Sequence, residues 1–105
     1  MNQYVAGSLV TVTASFTDNV TGNPADPSTV TLKVGRKYTA DTTSTYISGT
    51  LTGPYAIVKT GTGNYSANID TTSFIQDQYT YEWIGTGGVQ AITSGVFAVT
   101  TAPLT

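Results

Sequence analysis

The carboxylates Asp70, Asp77 and Glu82 are the residues from which a general acid and base could be drawn. Two carboxyl groups flanking a glycosidic bond are what glycoside hydrolysis needs. Their setting argues otherwise. Asp70 and Asp77 flank a crossover, where Asp side chains accept from nearby backbone and cap turns. Glu82 lies between Tyr81 and Trp83, facing solvent. The chain has no His and no Cys, so the groups best suited to proton transfer at neutral pH and to thiolate attack are missing. A Ser or Thr nucleophile would need an activating base, and the few Lys residues fall in no recognisable pattern. A P-loop, a dinucleotide fingerprint and a zinc pattern are absent. The expectation is a protein with no catalytic residues and no cofactor.

Three binding chemistries remain. Asp18, Asn19, Asn23 and Asp26 share one loop, and Ca²⁺ takes oxygen ligands from such loops. EF-hand spacing is lacking, and a Gly/Pro loop uses Asn and Asp equally to turn. Seven Tyr and one Trp could stack on sugars. Tyr65, Tyr79, Tyr81 and Trp83 share a period with apolar neighbours, which reads as packing, with hydroxyls bonding at the rim. Tyr38, Tyr46 and Tyr55 are less constrained. Basic residues gather only at Arg36-Lys37, with Lys33 nearby, and the net charge is −2. Nucleic-acid binding needs more clustered cation than this. The sequons at Asn19 and Asn64 mean little without a secretory route.

The elements that must position these residues are strands. Val10, Val12, Ala14 and Phe16 alternate with Thr11, Thr13, Ser15 and Thr17. Val30, Leu32 and Val34 alternate with Thr29, Thr31 and Lys33. Tyr65/Ala67/Ile69, Tyr79/Tyr81/Trp83 and the stretch to Val99 continue the pattern. A period of two marks strands with one buried face. Thr makes up roughly a fifth of the chain, well above average usage, and suits the outward half of a pleated surface. At 105 residues the chain is one domain able to bury roughly 65% of its unfolded surface.

The loops follow from the punctuation. Asp18 to Pro27 is dense in turn formers, and Gly61 to Asn64 closes a hairpin between strands at Tyr55–Lys59 and Tyr65–Asp70. Asp41 to Ser44 reads as an exposed loop in a middle region, Gly35 to Gly53, with few apolar residues. Thr71 to Gln78 crosses over, with room for one helical turn. Gly85 to Gly88 reads as a tight turn, and Ser94-Gly95 as a bulge in the last strand. This predicts an all-β antiparallel sandwich of about seven strands over residues 9–100. A mobile arm or edge strand over 1–8 precedes it and a tail over 101–105 follows. Val10, Val12, Phe16, Val30, Leu32, Tyr65, Ile69, Tyr81 and Trp83 form the expected core.

Asp77-Gln78-Tyr79-Thr80-Tyr81 resembles the corner entering the sixth strand of immunoglobulin-like domains, where a Tyr hydroxyl bonds back to upstream backbone. The resemblance makes Tyr79 the corner tyrosine. Antibody-type domains carry Cys where Tyr81 stands and a Trp on another strand, so it points to the wider Ig-like and fibronectin-like family. The blocks GSLVTVTASFTD, ADPSTVTLKV, GTGNYSANID and YTYEWIGTGGVQAITSGVFAV also resemble small Ig-like proteins encoded among the virion-structure genes of tailed bacteriophages. The resemblance covers most of the chain outside Gly35 to Pro54.

That resemblance implies a non-enzymatic structural component of a phage particle, at head, neck or tail. Its partners would be virion proteins, including copies of itself, met by a sheet face, a strand edge or the Met1 to Ser8 arm. It accords with a chain that lacks Cys and shows no signal peptide or long apolar run, the expectation being synthesis in the host cytoplasm and residence in the virion. The alternative is a carbohydrate-binding or adhesive module acting on the host surface. A domain cut from a larger surface protein is a third reading, counted against by the starting Met1. No nucleic acid or membrane partner is expected.

Overall fold

The computed structural model describes residues 2–36, 42–47, 49–72, 74–87 and 89–100, apart from the side chains of Asn2 and Thr42. They form nine strands: β1 (Asn2–Val5), β2 (Leu9–Ser15), β3 (Thr29–Arg36), β4 (Thr42–Ile47), β5 (Thr50–Thr52), β6 (Ala56–Gly61), β7 (Asn64–Asp70), β8 (Asp77–Thr86) and β9 (Ala91–Thr100). A six-stranded sheet runs β1-β9-β8-β3-β4-β5, and a three-stranded sheet runs β2-β7-β6. All pairings are antiparallel except β1 with β9.

The two inner faces meet through the residues the alternation places there. Val10, Val12, Ala14 and Phe16 from β2 and its end meet Val30, Leu32, Trp83 and Phe97 from the large sheet, all buried. Burial of such side chains is the main favourable term, about 1.5–3 kcal/mol each. Phe74, Tyr79 and Phe97 stack in sequence, with centroids 4.6 and 5.7 Å apart. Trp83 is fully buried, and its indole N–H meets no described acceptor.

Several expectations change. The described residues hold nine strands, two more than the roughly seven expected of the sandwich. Part of the excess is β1, so of the two readings for the N-terminal segment, arm or edge strand, residues 2–5 take the edge strand. β1 pairs with β9, Tyr4 packs edge-on against Phe97, and the buried Thr71 clamps the turn behind it. Thr71 Oγ1 accepts from Gly7 N–H and donates to the Ser8 carbonyl. Thr42 to Ser44 belong to β4 and form no exposed loop. Ser44 is fully buried, and its hydroxyl accepts the Tyr55 N–H at 2.8 Å. Asp41, Tyr38 and residues 101–105 lie outside the described residues.

The expected turn at Gly85 also moves. β8 continues through Thr86, with Gly85 opposite Ala91. A Cβ on Gly85 would stand 2.8 Å from both Phe16 and Pro27, so close packing selects Gly there. Gly95 marks no bulge, because the β8–β9 register is unbroken from Asp77↔Val99 to Gly85↔Ala91. A Cβ on Gly95 would come within 2.8 Å of Tyr81 Cε1. Tyr81 shares the inward parity of Tyr79 and Trp83 but is only half-buried. It lies over Gly95 at the margin of the core, a correction to its expected full burial.

Candidate functional site

The structure disperses the residues that looked most like chemistry. Asp70 accepts from the Thr72 hydroxyl and N–H, which together hold its carboxyl below the usual range. Asp77 accepts the Gln78 N–H at 2.8 Å and pairs with Arg36 at 3.6 Å. Glu82 sits opposite Lys33, and its odd spacing from Asp77 sends it to the other side of β8. These carboxylates do not converge. Lys33 and Arg36 likewise point to opposite sides of β3, and Lys37 lies outside the described residues.

The loop proposed for Ca²⁺ divides too. Asp18 Oδ1 accepts the N–H groups of Val20 and Thr21. Those bonds, Thr21's first, hold its carboxyl below the usual range. Asn23 contributes its backbone carbonyl to the Asp18 N–H, and the Asn19 and Asn23 side chains are exposed. Asp26 faces a different set of donors. Its Oδ2 meets Lys59 Nζ at 2.6 Å, and its Oδ1 accepts the Gly63 N–H at 2.7 Å and the Tyr65 hydroxyl at 3.2 Å. The two carboxylates are each committed to ordinary hydrogen bonds.

Asp26 is the hub of one end of the sandwich. It joins the β2–β3 loop to the β6–β7 hairpin, whose Gly63 has φ +74° and no room for a Cβ beside the Phe16 carbonyl. Lys59, then the Gly63 N–H, holds the Asp26 carboxyl below its usual range. Burial, then the Asp26 charge, pushes the Tyr65 hydroxyl up to about 12. Tyr65 packs edge-on against Phe16 and Tyr46. An open pocket of about 290 Å³ lies here, lined by Asp26, Pro27, Ser28, Tyr46, Gly49, Lys59 and Tyr65. Of the tyrosines considered for sugar stacking, Tyr46 reaches this pocket, while Tyr55 is buried in the core.

The outer face of the six-stranded sheet has the opposite character. Register partners Ile84 and Ile92 stand side by side on β8 and β9. Ile92 is 67% exposed, with Val96 and Val5 following along the same side at 42% each and Ile47 at 49% near the far edge. Thr29, Thr31, Thr45, Thr50, Thr52 and Thr80 fill much of the space between. The described charges on this face are Lys33 and Glu82, opposite in sign and in register. At its β8–β9 end a shallow pocket of about 440 Å³ is lined by Ile84, Gly85, Thr86, Gln90, Ala91 and Ile92. The face is thus Thr-rich and nearly neutral, with a short aliphatic row at Ile84, Ile92 and Val96.

Tyr79 is buried and donates its hydroxyl to the Ile75 carbonyl at 3.0 Å. Burial pushes that hydroxyl above its ordinary pKa. Sequence reading passed over Ser44 and Thr71, whose hydroxyls tie strand connections together. A lone Ser or Thr in a Thr-rich chain gives no signal of burial. The outer apolar row was detectable, since Ile84 and Ile92 fall out of phase with the core positions on their strands.

No protein-family model and no curated protein sequence matches the chain. Solved structures do. The extracellular portion of mouse CD200RLa aligns over 96% of this chain and 54% of its own, at 9% identity and TM-score 0.52. Murine CRIg aligns over 95% of this chain and 90% of its own, at 15% identity and TM-score 0.53. The chain thus spans about half of the CD200RLa structure. Together with the two-sheet topology, these likenesses make the fold an Ig-like β-sandwich. Nine strands, with two added beyond β3 on the large sheet, follow the variable-type pattern.

Proposed function

We propose that this chain is a non-enzymatic structural component of a bacteriophage virion, docking on other virion proteins at the head, neck or tail. The observation that carries the docking role is the aliphatic row of half-buried Ile84 and exposed Ile92 and Val96 on an outer face with little net charge. Such a face loses little charge solvation when covered, and its Thr hydroxyls can re-pair across a contact. The virion setting is supported by the sequence blocks that resemble phage Ig-like proteins. On this reading the chain is made in the host cytoplasm and ends in the particle, needing neither metal nor cofactor. The test is to purify particles from a producing host and quantify the chain in them by mass spectrometry. A fixed copy number through density-gradient purification is expected, and absence from the particles would overturn the virion role.

A second reading, a carbohydrate-binding module on the host surface, is favoured by the pocket where Tyr46 stands beside Asp26 and Lys59. An aromatic ring next to polar groups suits a sugar's apolar face and hydroxyls. A glycan array decides it: a micromolar hit lost on Tyr46→Ala supports this reading, and a blank array removes it.

A further inference from the structure

We infer that the free edge of β2 pairs with the same edge of a second copy, joining the two three-stranded sheets into one continuous sheet across a two-fold axis. This surface is separate from the outer face proposed for virion docking. Exposed edges are ready templates for another strand, and proteins blunt them with short strands, charges or bulges. β5 is three residues and β1 four. β6 carries Lys59 and a register shift between Lys59 and Gly61. β2 has none of these devices. Its seven residues, LVTVTAS, hold no charge and no Pro, and its register with β7 is unbroken from Leu9↔Asp70 to Ser15↔Asn64. Among the described residues no strand lies on its other side.

The hydrogen-bond phase fixes which residues face that side. Phe16 N–H donates to the Gly63 carbonyl, and Thr71 N–H donates to the Ser8 carbonyl. Both lie on the β2–β7 register line, so the even-numbered residues of β2 bond toward β7. Leu9, Thr11, Thr13 and Ser15 therefore direct their N–H and C=O groups off the free edge. The sequence is self-complementary in this phase. With Val12 on the two-fold axis, Thr11 meets Thr13 of the second copy and Leu9 meets Ser15, each pair exchanging two N–H···O bonds. Val10 and Ala14 then pair on the inner side, continuing the core row. Thr11 and Thr13 pair on the outer side, a favoured cross-strand combination. No charge is placed against another.

The experiment is sedimentation equilibrium of the purified chain from micromolar to high micromolar concentration, with amide hydrogen exchange at both ends of the range. The wild type should form a dimer, with the Leu9, Thr11, Thr13 and Ser15 amides slowed as concentration rises. The double substitution Thr11→Lys, Thr13→Lys sets like charges directly opposite across the axis and should weaken the dimer at least tenfold. Thr11→Lys with Thr13→Glu sets opposite charges there and should restore it. A wild type monomeric throughout, or one whose β2 amides exchange at a concentration-independent rate, would overturn the inference. So would a dimer untouched by the double-lysine change. The exchange result on the wild type decides the matter even if a variant fails to fold.

Discussion

Two regions near one end of this sandwich, the Asp26 hub and the outer face around Ile92, use their residues in opposite ways. At the Asp26 hub the chain gathers a carboxylate, an ammonium and a phenol, and these bond chiefly to one another. On the outer face around Ile92 it leaves aliphatic side chains partly in solvent, Ile92 by two-thirds of its surface. A polar group already holding its partners has little left for a ligand, whereas exposed apolar area is stabilised only by being covered. The charged cluster thus builds the fold, while the aliphatic row, under the docking role proposed above, is the part left to meet a partner.

Both regions stand on the same core, so its loss should have the largest effect. Trp83→Ala removes a fully buried ring and should cost about 3–5 kcal/mol in denaturant unfolding. A loss under about 0.5 kcal/mol would mean the sheets do not pack on Trp83, and neither region would be placed as described. Next comes the hub. Asp26→Ala leaves the Tyr65 hydroxyl and Gly63 N–H without their acceptor and should cost about 1–2 kcal/mol, discounted because the Lys59 pair is partly exposed. An unchanged midpoint would free Asp26 for a ligand role.

The hub also carries a pH signature at both ends of the scale. The Asp26 carboxyl is held below its unfolded value, so its contribution is present above that value and is lost as pH falls through the folded one. Tyr65 is raised from 10.0 to about 12, so its contribution is present below pH 10 and fades as pH rises toward 12. Urea midpoints across pH should show both limbs. Asp26→Asn should flatten the acid limb, and Tyr65→Phe the alkaline one.

Tyr79→Phe is smaller, about 0.5–1.5 kcal/mol for one hydrogen bond. An unchanged urea midpoint would remove the bond to Ile75 as a structural tie. Smallest is Ile92→Lys, which exposes charge where an aliphatic chain already stood in water and should stay within about 0.5 kcal/mol of wild type. A larger loss of stability would make Ile92 part of the core and erase the contrast.

Much of the fold could be read from alternation, because one-sided burial writes itself into a period of two. Val10 to Phe16 and Val30 to Val34 needed nothing more. Tyr81 shows the limit: parity gives the side of the sheet, but only packing decides the depth, and Tyr81 rests on Gly95 at the margin. β4 and β5 escaped because Thr42 to Thr45 is wholly hydroxylated. Its inward member, Ser44, is paired by a backbone N–H eleven residues away, a contact no local pattern reveals. β1 was ambiguous because its partner, β9, lies at the far end of the chain. The candidate site was half legible. Asp26 stood out as a charge in a loop and suggested calcium, yet the donors it faces come from the β6–β7 hairpin, thirty-three and more residues away.

The central claim is that the outer face docks on virion proteins while the Asp26 hub only stabilises. Co-sedimentation with particles lacking the chain tests it, using wild type, Ile92→Lys and Asp26→Asn at a temperature where all three are folded. The account predicts that wild type and Asp26→Asn bind alike and that Ile92→Lys loses at least tenfold in occupancy. Equal binding by Ile92→Lys, or loss confined to Asp26→Asn, would contradict it.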